Sequence, residues 1–372
     1  MMKKPNGHEI IQLFEQFSPK GLAMEGDKIG LQIGRLNSKI ERIMIALDVL
    51  ENVIDEAIEK NVQLIIAHHP IIYRPLKNLL TDTVQGKMIE KLVKHDIAVY
   101  AAHTNLDIAK GGVNDLLAAA LGLEEAEVLV PTFETKLKKI VVFVPASHAE
   151  EIRQVLGNAG AGFIGNYSHC SFSANGTGRF LPGDHTNPYL GQAGKFEEVN
   201  EVRIETIVPE PLLKKALTAM IKAHPYEEVA YDVYSLENKG EVLGLGRIGK
   251  VSEMTLGDFA EKVKTALGVE KVRVVGDLAT RVKKVAVLGG DGNKYFMNAK
   301  FKGADVYVTG DIYYHTAHDA MMQGLNMIDP GHNVEKVMKK GLTAALQKLC
   351  RESGYEVDIF PSEVNTDPFQ FI

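Results

Sequence analysis

The chain has no tryptophan and only two cysteines among its 372 residues. Cys170 and Cys350 lie far apart and neither belongs to a CxxC pair, so neither a disulfide framework nor a thiolate zinc site organises this protein. No apolar run reaches the roughly 18 residues that a spanning helix needs, which argues against membrane insertion. A basic excess is missing as well. Forty-two lysines and arginines against 48 aspartates and glutamates leave a net charge of -6, which disfavours unspecific nucleic-acid binding while leaving room for a local basic patch. Neither a G-x-S-x-G nucleophile elbow nor a GxxxxGK[ST] phosphate loop occurs, which lowers serine hydrolases and P-loop NTPases. The amino terminus, Met1-Met2-Lys3-Lys4-Pro5, is basic, but Ile10-Ile11-Gln12-Leu13-Phe14-Glu15 is broken by polar residues and no small-residue cleavage site follows. A reducing cytoplasm is the expected location.

What remains is an ordinary globular composition, 45% hydrophobic and 24% charged, in a chain long enough for two domains or for one domain interrupted by another. Helical spacing of Ile10, Ile11, Leu13, Phe14 and Phe17 predicts a helix over residues 8–17. Strand-like runs then alternate with helical ones: 42–47, 64–67 and 97–102 as strands, with helices between them and a further helix at 113–121. This alternation predicts parallel pairing with right-handed crossovers. From about Val128 the character changes. Strands at 139–144, 202–208 and 229–234, helices at 149–156 and 211–223, and a Gly-, Asn- and Ser-rich stretch at 162–195 suggest a ferredoxin-like α+β module. After about Gly240 the α/β alternation resumes. The expectation is a discontinuous main domain with a mostly parallel sheet, residues 1–128 and 239–372, interrupted by an insert over 129–238.

Chemistry concentrates where strands stop. Leu64-Ile65-Ile66-Ala67 runs into His68-His69-Pro70; the next strand stops at His103-Thr104-Asn105-Leu106-Asp107; a later one stops at Asp329-Pro330-Gly331-His332-Asn333-Val334-Glu335. In open α/β sheets, binding groups collect beyond the carboxyl ends of strands. A lone histidine there is more often a hydrogen-bonded structural residue. Adjacent His68 and His69 would point to opposite faces of a regular strand, so both reach one site only through an irregular turn, which Pro70 favours. Mixed nitrogen and oxygen donors suit Zn, Mn, Fe or Co better than Ca or Mg, and the number of donors suggests two ions sharing a carboxylate. Glu335 and Asp107 each have an alternative as an ordinary charge near a helix start. His315, after the strand at 306–309, is a candidate for contacting substrate or for supporting a ligand from behind, whereas His318 is more readily structural. Gly244-Leu245-Gly246-Arg247-Ile248-Gly249 matches G-x-G-x-x-G but lacks the flanking strand and helix of a dinucleotide site; it reads as a junction where the chain re-enters the main domain. Gly289-Gly290-Asp291-Gly292 is better placed as a turn that lets a ligand approach.

LIIAHHPII, AAHTNLD and DPGHNVEK, with GLQIG early and GGDG and TGDIYYH later, resemble the Nif-three-like proteins, often labelled GTP cyclohydrolase I type 2 homologues. The resemblance implies that His68, His69, Asp107, His332 and Glu335 hold two divalent metal ions, zinc first, with Glu335 bridging. His103 then becomes a neighbouring acid/base or orienting residue, with His315 a second candidate for proton transfer. The segment before GLQIG commonly carries Trp-Asp-Asn in that family, whereas this chain has Gly26-Asp27-Lys28. Ala223-His224-Pro225-Tyr226-Glu227-Glu228-Val229 is similar to PII and CutA-like modules, as in the longer members of the family, and implies a homo-oligomer, commonly a hexamer. The implied activity is metal-dependent hydrolysis, of which ring opening of GTP at the purine C8 by a metal-activated water is one form. The alternative is a regulatory or metal-handling oligomer whose insert senses a small polar or nucleotide-like ligand.

Overall fold

The computed structural model describes residues 3–372; Met1 and Met2, the start of the basic amino terminus, lie outside the described residues. The chain forms two compact units, Met1–Phe133 with Leu243–Ile372, and Glu134–Val242.

The first unit contains two sheets. One is five-stranded, with β1 (Gly30–Ile33), β2 (Arg42–Ala46), β3 (Leu64–Ala67), β4 (Ala98–Ala101) and β15 (Asp358–Pro361) in the order β1-β4-β3-β2-β15. All neighbours are parallel except β1 and β4. The other is six-stranded: β5 (Glu124–Glu134), β10 (Val242–Thr255), β11 (Arg273–Val275), β12 (Arg281–Asp291), β13 (Val306–Gly310) and β14 (Asn326–Asp329), in the order β11-β14-β13-β12-β10-β5. Here β12, β13 and β14 are parallel, while β11 and β10 run antiparallel to β14 and β12. The α/β class stands. The expectation is one mostly parallel sheet; the structure has two, the first with a single antiparallel edge strand, β1, and the second with a parallel centre joined to antiparallel strands on both sides.

The continuous apolar runs of β2 and β3 are explained by burial on both faces, as parallel strands require. Ile43, Ile45, Leu64 and Ile66 face a core shared with Val285, Val287, Val306 and Val308 of the second sheet. Met44, Ala46, Ile65 and Ala67 face a separate core on the opposite side. Each fully buried aliphatic side chain contributes about 1.5–3 kcal/mol. Helix Gly7–Phe17 starts in a reciprocal capping box between Asn6 and Glu9, and helix Leu256–Leu267 starts at a Thr255 cap and stops at Gly268 in the left-handed region. Among the described residues no helix is long and apolar enough to cross a membrane.

The second unit is an antiparallel sheet of β6 (Leu137–Pro145), β7 (Phe172–Phe180), β8 (Glu197–Pro209) and β9 (Tyr231–Ser235), ordered β7-β8-β6-β9. Helices Ala149–Asn158 and Glu210–Ala223 share its core, in which Ile140, Val142, Ile204, Leu156 and Met220 are buried. β7 lies inside the stretch whose Gly, Ser and Asn content hides any strand pattern; it is exposed along nearly its whole length and pairs with β8 throughout. His224 is buried here, with Nε2–H donating to the Phe143 carbonyl at 3.0 Å and Nδ1 accepting from the Tyr226 amide at 3.1 Å. Burial holds its imidazole below the ordinary pKa. Its contribution to stability is therefore whole above the unfolded value of about 6.5 and is lost as pH falls through the lower folded value. Between neutral pH and pH ~5, thermal unfolding should fall more steeply for the parent than for His224→Asn. Parallel slopes would show that this imidazole carries no proton linkage.

Candidate metal centre

Strand ends from both sheets of the first unit build one cluster. His68 and His69 leave β3 in a bend, and their amides still donate to the Ala46 and Leu47 carbonyls at 3.0 and 2.9 Å. That bend brings both rings to one side, with centroids 5.0 Å apart. His103 directly follows Ala102 beyond β4 and precedes the short helix Thr104–Ile108, which carries Asp107. From the second sheet, Gly331 turns in the left-handed region and opens the 3-10 turn His332–Lys336. His332 and Glu335 share one side of that turn, with His332 Nε2 3.3 Å from Glu335 Oε2.

Glu335 sits at the centre. Its Oε2 lies 3.1 Å from His69 Nε2 and 3.6 Å from His68 Nε2. Asp107 Oδ1 is 3.6 Å from the same His68 nitrogen. His103 packs its ring 5.2 Å from His68 and 5.7 Å from His69. Three sets of potential ligand atoms lie within 4.8 Å of one another: His68, His69 and His103; His69, His332 and Glu335; His68, Asp107 and Glu335. The last two share Glu335.

Every one of these imidazoles is held from outside by Nδ1. That of His68 bonds the Ala102 carbonyl at 2.9 Å, that of His69 bonds Asp48 at 2.7 Å, that of His103 bonds Asp27 at 2.8 Å and that of His332 bonds Asp311 at 2.6 Å. With Nδ1–H donating outward, each Nε2 turns toward the cluster, which is how proteins fix the ring and tautomer of metal-ligating histidines. Asp27 also accepts from the Thr104 amide and hydroxyl, so part of the segment that departs from the Trp-Asp-Asn pattern is built into the centre.

The electrostatics match. Burial disfavours the charged form of His69, yet the hydrogen bonds to Asp48 and Glu335 push it up to about 10. The Glu335 hydrogen bond raises His332 to about 9 against burial. Burial raises Asp107 to about 6 despite His68, whereas the surrounding imidazoles overcome burial and hold Glu335 well below the carboxylate range. The carboxylates that favour the charged imidazoles would favour bound cations in the same way, since metal binding and proton release are linked at such ligands. Two atoms test the fit. His68 Nε2 and Asp107 Oδ1 are buried without any hydrogen-bond partner, a costly state for polar groups unless something else satisfies them. An ion between them and Glu335 would do so.

Close backbone approach makes room for this. A side chain at Gly290, whose φ is +63°, would place its Cβ 2.8 Å from Glu335 Oε1. Buried Asn114 pins the turn, accepting from the Gly289 amide and donating to the Asp107 carbonyl, each at 3.0 Å. The G-x-G-x-x-G segment lies within β10, where a Cβ at Gly244 would sit 2.0 Å from the Val130 carbonyl oxygen, so its glycines serve strand approach and form no phosphate turn. His315 is absent from the cluster: it is exposed on helix Tyr314–Met322, edge-on to Tyr314. Asp27, Asp48 and Asp311 were not singled out as site residues by sequence. Their signal was position, since Asp48 and Asp311 lie just past strand ends, and Asp311 follows Gly310 at a φ of +54°.

Four imidazoles and two carboxylates gathered at the strand ends of two sheets make this an α/β protein with a centre able to hold metal ions. The chain belongs to the Duf34/NIF3 (NGG1p interacting factor 3) family, whose model matches residues 5–368. It is 61% identical to a Bacillus subtilis protein and 59% identical to a Halalkalibacterium halodurans protein, each match covering the whole of both chains and each relative named GTP cyclohydrolase 1 type 2 homolog. A solved Bacillus cereus protein related to NIF3 matches with a TM-score of 0.95 at 63% identity over the whole of both chains. A Staphylococcus aureus protein matches with a TM-score of 0.78 at 32% identity, again over the whole of both.

Proposed function

We propose that this protein is a dinuclear-metal-dependent hydrolase, with His68, His69, Asp107, His332 and Glu335 as ligands. The observation that carries the reading is the pair of orphaned buried atoms, His68 Nε2 and Asp107 Oδ1, beside the shared carboxylate of Glu335. Two divalent ions, zinc first and Mn, Fe or Co as alternatives, would supply Lewis acidity and bring the pKa of a water toward neutrality. The protein's own contribution is orientation and proton handling. Asp48 and Asp311 aim the imidazoles, Asp107 and Glu335 supply the negative charge, and Asp27 leaves His103 Nε2 free to take or return a proton. The relatives' name makes GTP ring opening at the purine C8 the first reaction to try, with phosphoester hydrolysis next.

Protein purified without added metal should carry about two transition-metal ions per chain. GTP consumption should disappear in His69→Ala together with the metal. Full turnover by protein stripped of metal would overturn the mechanism.

A second reading, a regulatory or metal-handling homo-oligomer such as a cytoplasmic hexamer, is favoured by one feature of the second unit. A cavity of about 630 Å³ there is lined by Phe180, Tyr189, Tyr226, Glu201 and Arg203, among others. A PII/CutA-like insert sensing a small polar or nucleotide-like ligand would place it in such a cavity.

A further inference from the structure

We infer that the C-terminal tail belongs to the machinery of this centre, with Thr366 positioning Asp48 and, through it, His69. The inference rests on the metal-centre reading and adds a residue 297 positions away from the histidine it serves, counted from the sequence numbers 366 and 69.

Beyond β15 the chain has no regular secondary structure, yet it is tied down step by step. The Ser362 amide donates to the Ile45 carbonyl at 2.8 Å, prolonging the pairing of β15 with β2. Glu56, a buried carboxylate on helix Glu51–Glu59, accepts from the Ser362 hydroxyl at 2.5 Å and from the Glu363 amide at 2.9 Å. On the other side Lys339 Nζ donates to the Ser362 and Val364 carbonyls at 2.9 and 3.1 Å. A buried carboxylate and a part-buried ammonium are expensive to desolvate unless partnered, and here their partners are mostly the tail's backbone and Ser362. Burial also holds Lys339 below the ordinary lysine range. Residues 362–364 are therefore a fixed anchor.

That anchor delivers Thr366. Its hydroxyl donates to Asp48 Oδ2 at 2.5 Å, while Asp48 Oδ1 takes His69 Nδ1 at 2.7 Å. The two oxygens of one carboxylate are thus occupied by different parts of the chain. A carboxylate's terminal torsion is broad, so a single hydrogen bond leaves it free to swing; a second bond on the other oxygen locks its plane. Locking Asp48 locks the ring of His69, whose Nε2 faces Glu335 at 3.1 Å. Outer groups of this kind typically change metal affinity 10–100-fold. Thr366 acts through Asp48 and His69 and is a positioning residue.

The test uses full-length Thr366→Val, which removes the hydroxyl at nearly constant volume, and Thr366→Ser, which keeps it. Two readouts are compared with the parent: the zinc dissociation constant by competition with a chelating dye, and the His69 Nδ1–H resonance in metal-free protein. While Asp48 holds that proton it is shifted downfield and slow to exchange. In the valine variant zinc should bind about 10-fold more weakly and the resonance should broaden or vanish, whereas the serine variant should retain both. Unchanged affinity together with an unchanged resonance in the valine variant would overturn the inference. A serine variant as impaired as the valine one would overturn it too, by assigning the effect to packing. If the parent binds none of zinc, manganese, iron or cobalt, the hydrolase reading fails while the His69 resonance still decides the role of Thr366.

Discussion

Replacing Glu335 by glutamine should empty the centre of metal while leaving the fold intact. Its Oε2 lies within 3.6 Å of the Nε2 atoms of His68, His69 and His332, and the residue is only 2% exposed. It is also the one residue that two carboxylate-bearing groupings share. The substitution barely changes volume, so the loss isolates charge and donor chemistry. A neutral amide cannot offset two divalent ions, and its N–H groups would face imidazole nitrogens without supplying a second anionic oxygen. Affinity should fall on the order of 100-fold or more, beyond what outer groups give, and elemental analysis should find less than half of the parent's metal. His103→Ala provides the contrast. If five residues are the ligands and His103 handles protons, that variant should keep its metal and lose turnover. Loss of metal in His103→Ala, with retention in Glu335→Gln, would shift the binding position to the His68, His69 and His103 group.

Much of this centre is legible in the sequence because its candidate ligands sit where continuous apolar runs break off. A buried strand such as Leu64–Ala67 has no polar residue until it leaves the sheet, so His68 and His69 stand out. The same contrast exposes His103, Asp107, His332 and Glu335. The supporting aspartates do not stand out, because nothing local distinguishes an aspartate that holds a histidine from one that ends a strand. Asp27 reaches His103 across 76 residues and Asp48 meets Thr366 across 318. The division into two sheets was hidden for a related reason. β10 is studded with glycines and charges, and β5 opens Glu124-Glu125-Ala126-Glu127, so neither shows the apolar signature of a buried strand. Their places are set by neighbours distant in sequence, where a glycine is needed for a carbonyl to approach. His315 shows the limit of that signal: it also follows a strand closely, but helix Tyr314–Met322 leaves it exposed and outside the cluster.

Arg247→Met should cost the first unit about 3 kcal/mol, the low end for breaking a buried ion pair. Arg247 is 4% exposed and lies within the glycine-rich segment that resembles a nucleotide loop. Its Nε donates to Asp115, and its Nη1 donates to the Gly244 and Gly246 carbonyls at 2.9 and 2.8 Å. Gly246 sits at a φ of +65°, so the guanidinium satisfies carbonyls where the backbone of β10 leaves regular strand geometry. Methionine matches the stem of arginine but leaves those carbonyls without a donor. Asp115 keeps the Gly111 amide at 2.6 Å and its side chain is 29% exposed, so water limits the penalty on that side. A loss of that size corresponds to a fall of roughly 6–12 °C in melting temperature for a unit of this size. Asp115→Asn retains an acceptor and should cost about 1 kcal/mol. The consequence reaches the centre, because Asp115 follows Asn114, which holds both the Gly289 turn and the Asp107 backbone. Urea unfolding of the metal-free protein measures the first effect and zinc competition the second. Arg247→Met within ~0.5 kcal/mol of the parent would mean that the Gly244 and Gly246 carbonyls find water, and that β10 is held by its ladder alone.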